Sequence, residues 1–129
     1  MNEKRDKAKI LDLAERQVKA GRTEEAIGEY KKLLSGDAPD LSINNIIGDL
    51  YIQLGRTEEA VKAFQAVAGY YESRSYFSQA LAIYKKISKI DPENVIMIVR
   101  LGDLLNSQGF SAEARREYLK AEQKLRYGK

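Results

Sequence analysis

Carboxylates have the best claim to chemistry in this sequence, and Glu24-Glu25 and Glu58-Glu59 are where two stand side by side. An acid–base pair needs one carboxyl kept protonated by its surroundings beside one that is ionised. Each of these pairs instead follows Gly-Arg-Thr, in what reads as the first turn of a helix, where acids complement the helix dipole and face water. The chain contains no histidine and no cysteine. That removes the commonest general base, thiolate nucleophiles, disulfides and the usual transition-metal ligands. Neither Gly102 nor Gly109 belongs to a phosphate-binding Gly-Lys-Ser/Thr loop, and no calcium-loop spacing occurs. The expectation is a protein with no catalytic residues, no metal and no cofactor.

Cations are the next group. Arg115, Arg116, Lys120, Lys124 and Arg126 crowd the last stretch before Lys129, but Glu113, Glu117 and Glu122 are interleaved at helical spacing. Such pairs are ordinary support along a solvated helix face. The net charge of +3 is too small to imply a polyanion partner. Nucleic-acid association is therefore the runner-up class, to be revived by salt-dependent binding. No apolar run approaches the roughly 18 residues of a membrane span, and Met-Asn-Glu-Lys-Arg-Asp-Lys opens the chain without an apolar signal core. A cytoplasmic protein is expected.

The elements that position these groups are helices. Apolar residues recur at helical spacing from Ile10 to Val18, Ile27 to Leu34, Ile43 to Leu54, Val61 to Tyr71, Leu81 to Ile87, Val95 to Leu105 and Tyr118 to Leu125. The breaks fall at Gly21-Arg22-Thr23, Gly55-Arg56-Thr57, Ser73-Arg74-Ser75 and Gln108-Gly109, and at the proline turns Gly36-Asp37-Ala38-Pro39 and Asp91-Pro92-Glu93-Asn94. Glycine in three of the four shorter breaks suits a left-handed helix end. Thr23 and Thr57 suit helix N-caps. Seven helices and no strand are predicted.

One spacing recurs four times. A small residue follows an aliphatic one at Leu13-Ala14, Ile47-Gly48, Val67-Ala68 and Leu101-Gly102. Twelve residues later stand Ala26, Ala60, Ala80 and Ala114, and four beyond those Tyr30, Phe64, Tyr84 and Tyr118. The small residues would let helices approach closely, with the alanines as their opposite numbers and the rings filling the wider gap beside that contact. At this scale the chain resembles the tetratricopeptide repeat family, through Ile47-Gly48-Asp49-Leu50-Tyr51, Leu54-Gly55, Ala60 and Phe64, and again from Leu101-Gly102 through Gly109, Ala114 and Tyr118. The resemblance covers roughly residues 7 to 128, lacks the family's frequent tryptophan, and implies an all-α, right-handed solenoid of antiparallel helix pairs.

The register is irregular. Ala14 to Gly48 and Ala68 to Gly102 are each 34 residues apart, but Gly48 to Ala68 is only 20. One helix around residues 57–72 is therefore expected to serve two repeats, giving a single domain with units about 7–40, 41–74, 61–94 and 95–128. Two geometries remain open here: a kink near residues 68–78 that divides the binding surface, or a slightly tightened regular spiral. Tyr70, Tyr76 and Phe77 gather at this joint, either as anchors for a partner or as padding, with Tyr71 in the core.

The resemblance implies a scaffold or adaptor that holds a peptide or helix of another protein in a groove lined by the first helix of each unit. The groove residues would be Asp12, Glu15 and Lys19, then Ser42, Asn45, Asp49 and Gln53 with Ile46 and Ile52 nearby, then Val99, Arg100, Asp103 and Asn106. Glu15, Asp49 and Asp103 each directly follow the small residue. Stacked, Glu15 and Asp49 would favour a basic or amide-rich partner; otherwise they are solvated surface or make a local bond to a neighbouring helix. Family members that clamp acidic tails use a lysine and an asparagine where this chain has Leu11 and Glu15, so an acidic tail is not the expected ligand. Arg115 and Glu122 take places that are apolar in inner units, as a terminal cap requires. Leu119, Leu125 and Tyr127 leave room for a weak homodimer, and self-assembly is a further alternative.

Overall fold

The computed structural model describes residues 3–34 and 40–128. Among these the chain forms α1 (Glu3–Lys19), α2 (Thr23–Lys31), a 3-10 turn (Lys32–Leu34), α3 (Leu41–Gln53), α4 (Thr57–Ser73), α5 (Phe77–Ile90), α6 (Val95–Ser107) and α7 (Ser111–Tyr127), with no strand. The expected turn at Gly36-Asp37-Ala38-Pro39 lies outside the described residues. The chain divides into two compact units, Met1–Ala66 and Val67–Lys129, and the boundary falls inside α4.

Four short connections share one hydrogen-bond pattern. Arg22, Arg56, Tyr76 and Phe110 N–H groups donate five residues back to Gln17, Tyr51, Tyr71 and Leu105, at 2.8–2.9 Å. The residue before each donates three back, Gly21 to Val18, Gly55 to Ile52, Ser75 to Glu72 and Gly109 to Asn106. This double closure satisfies the last carbonyls of a helix and needs a left-handed residue at its second donor. Gly21, Gly55 and Gly109 supply it at φ 79°, 73° and 87°, and Ser75 supplies it at φ 61° without being a glycine.

This closure corrects the cap assignment. After the left-handed residue only one position remains before the next helix, and Arg22 occupies it with no side-chain cap bond. Thr23 and Thr57 are already the first helical residues. Genuine side-chain caps appear where the connection is longer: Asp40 Oδ1 accepts from Ile43 N–H at 3.0 Å and Asn94 Oδ1 from Met97 N–H at 3.2 Å.

In the first unit α1, α2, α3 and the start of α4 bury Ala14, Ala26, Tyr30, Ile47, Leu50, Ala60 and Phe64. In the second, the end of α4 with α5, α6 and α7 buries Val67, Ala68, Ala80, Tyr84, Ile87, Leu101, Leu105, Ala114 and Ala121. The recurring residues thus form the core, but they mesh differently from the expectation. A Cβ at Gly48 would lie 2.6 Å from Phe64 Cζ, and one at Gly102 would lie 2.8 Å from Tyr118 Cε1. At Gly48 and Gly102 the nearest neighbour is the ring itself, because a flat ring seats directly on bare backbone.

The stripes were overdrawn at their margins. Leu13 and Leu54 are more than a third exposed, Leu119 is half exposed and Leu125 is 73% exposed. Tyr71 is half-buried, not core. Ile27 and Val61 are buried, whereas Arg115 and Glu122 are exposed.

Candidate partner-binding surfaces

Each hairpin sets an acid on its first helix opposite the aromatic of its second. In the second unit, the Tyr118 hydroxyl donates to Asp103 Oδ1 at 2.6 Å. The Tyr84 hydroxyl donates to Glu72 Oε1. The Tyr84 ring is buried, and desolvation, followed by the hydrogen bond and charge of Glu72, pushes its phenol up to about 12, with Arg100 opposing. Tyr118 is raised chiefly by its hydrogen bond to Asp103. In the first unit Tyr30 is raised by burial and then by the charge of Glu15. Where the second helix carries Phe64 instead, it brings no hydroxyl toward α3.

Glu72, Phe77, Arg100, Asp103, Leu104 and Ser107 line one cleft of about 360 Å³ in the second unit. Three of the expected site residues, Phe77, Arg100 and Asp103, therefore meet; Asn106 is exposed on the same helix. Tyr70 and Tyr76 do not line it. They pack edge-on against Tyr71, each with ring centroids 6.4 Å apart, and the Arg74 guanidinium lies 5.3 Å from the Tyr70 ring centroid. Tyr76 fills the position after left-handed Ser75, as Arg56 does after Gly55.

In the first unit Asp12, Glu15, Lys19, Ser42, Asp49 and Gln53 are exposed, and Asn45 is half-buried. Asp12 is paired with Arg16 one turn along at 3.0 Å. The Asn45 amide oxygen is buried with no hydrogen-bond partner among the described residues. A separate node joins α2 to α4 in this unit. Arg56 donates to Glu59 through Nε at 2.7 Å and Nη2 at 2.5 Å, and to Glu24 through Nη1 at 2.9 Å. Its guanidinium also lies 5.2 Å from the Tyr51 ring centroid, while the Lys31 ammonium is 5.4 Å from it. The two Gly-Arg-Thr-Glu-Glu copies are thus tied, the arginine of the second gripping an acid of the first. One acid of each pair, Glu24 and Glu59, is engaged by Arg56.

Sequence reading missed Glu72, Tyr84 and Tyr118 as site residues. The signal was present: Glu15–Tyr30 and Asp103–Tyr118 are both 15 residues apart, whereas Ala68 is followed by Gly69, so Glu72 one turn later takes the acid's part.

Short closures between antiparallel helices, small residues seated under rings and a polar face on the first helix of each hairpin define a helical-repeat protein. The sequence pattern described as "Tetratricopeptide repeat" matches residues 11–76, just over half of the chain. The chain belongs to the tetratricopeptide repeat family. That family supplies protein–protein interaction scaffolds, typically without catalysis, and this chain is one in that general sense. A comparison with curated proteins gave no match. Among solved structures, a crystal structure of MamA is 20% identical over 97% of this chain and 84% of that one, with a TM-score of 0.45. A MamA RS-1 ArsTM double mutant is 15% identical over 96% and 78%, with a TM-score of 0.47. A MamA D159K mutant is 22% identical over 93% and 78%, with a TM-score of 0.45. Among the described residues no helix is long and apolar enough to cross a membrane.

Proposed function

We propose that this chain is a cytoplasmic adaptor that binds a peptide or helix of another protein on the polar faces of its first helices, α6 in the second unit and α1 and α3 in the first, and that it catalyses no reaction. The observation that carries this reading is the α6 face, where exposed Arg100 and Asp103 open onto a cleft beside Phe77. Asp103 is held by Tyr118 before any partner arrives. A charge fixed in advance loses little freedom on binding, so more of each contact appears as affinity. The face of α1 and α3, with Glu15 and Asp49, is the second such surface.

Two rivals stand beside it. Nucleic-acid binding is weakened by Lys120 and Lys124 being paired to Glu117 and Glu93. Self-association draws on exposed Leu119, Leu125 and Tyr127 of α7. Affinity capture from the source cell separates the three. Recovery of a protein that survives nuclease treatment is expected. Recovery that disappears with nuclease, or only of the chain itself, would overturn the adaptor reading.

A further inference from the structure

The chemistry of the second unit's cleft can be narrowed from its lining. Glu72, which accepts from the Tyr84 hydroxyl, and Arg100 line the same cleft as Asp103, so the lining carries two acids and one base. Asp103 is left over. Tyr118 engages only its Oδ1, and among the described residues Asp103 makes no ion pair. A carboxylate can accept from several donors at once, so Oδ2 remains for a cation. Next to it stand the half-buried Phe77 ring and the buried Leu104 side chain. The Ser107 hydroxyl already donates to the Leu104 carbonyl at 2.8 Å, so it is spoken for as a donor.

A ligand group that suits this lining needs an apolar stem and a cationic tip. Arginine and lysine carry both, laying the stem on apolar surface and keeping the charge at a polar rim. An aromatic face adds attraction for the same charge. We propose that this cleft takes a basic side chain of the partner, its stem against Phe77 and Leu104 and its head on Asp103. The proposal rests on the adaptor reading and names the partner's chemistry at one of its two surfaces.

The probe is the peptide acetyl-Gly-Arg-Gly-amide, titrated into the full chain labelled with nitrogen-15. Controls replace arginine by citrulline, its neutral near-isostere, or by glutamate. Saturable shifts of the Phe77, Asp103, Leu104 and Ser107 amides are expected with arginine. Citrulline should bind roughly two- to five-fold more weakly, the scale of one exposed ion pair. Asp103→Asn, which keeps an acceptor for Tyr118, should weaken arginine by a similar factor while the rest of the spectrum holds. Equal shifts from citrulline, preference for glutamate, or unaltered arginine binding by Asp103→Asn would each overturn the proposal. If a protein partner is captured but arginine leaves the cleft amides unmoved, the proposal fails and the adaptor stands. If arginine binds as described but no protein is captured, the cleft chemistry stands and the adaptor fails.

Discussion

Tyr84 shows how much one hydroxyl does in this chain. Its phenol ordinarily loses a proton at 10.0, but burial and Glu72 raise it to about 12 in the folded protein. A group with a raised folded-state pKa stabilises fully below its unfolded value and progressively less as pH climbs through the folded one. Stability should therefore hold to about pH 10 and fall between 10 and 12. In Tyr84→Phe that fall should flatten, and stability at pH 7 should drop by about 1 kcal/mol with the hydrogen bond; chemical denaturation across the pH range reads both. Ser75 is the second case. Its φ of 61° strains a residue with a Cβ by roughly 1 kcal/mol, while glycine gives back about 0.5 kcal/mol through the unfolded chain. Ser75→Gly should raise the melting temperature slightly, and a lower one would contradict the closure described for this turn. Asp103 and Arg100 were legible in sequence as outward polar residues of a first helix. Their tyrosine partners were not, because a tyrosine at the ring position was read for its volume, and only the fold tells which way its hydroxyl points.

At the scale of the element, turns and packing decide. Sequence spacing located every described break, since glycine and proline act through backbone geometry that needs no neighbour. It misplaced the caps at Thr23 and Thr57, because threonine before two acids looks like a cap unless the preceding closure is known to use up the connection. It also paired the small residues with alanines, whereas Gly48 and Gly102 sit under Phe64 and Tyr118. Helix periodicity gives the face of a helix but not the axial stagger between two of them, and one turn of stagger exchanges an alanine for a ring. Gly48→Leu should consequently cost about 1–3 kcal/mol by overpacking. Gly48→Ala combined with Phe64→Leu should recover much of the loss suffered by Gly48→Ala alone, which a double-mutant cycle measures. Strict additivity would place the ring elsewhere.

For the whole molecule, the repeat spacing said most. The shortened interval between Gly48 and Ala68 pointed to α4, and the boundary of the two compact units falls within that helix. We read α4 as the second helix of one repeat and the first of the next. Partner chemistry was legible only as a tendency, because binding faces are polar and polar residues also cover ordinary surface; Glu15, Asp49 and Asp103 look alike in sequence. The central claim is that the polar faces of the first helices bind another protein, and titration calorimetry with a captured partner tests it. Glu15→Lys combined with Asp49→Lys should weaken a basic partner at least ten-fold, about 1.4 kcal/mol, measured on variant protein whose circular dichroism shows the native helix content. Equal affinity for the variant and the native chain would contradict the account.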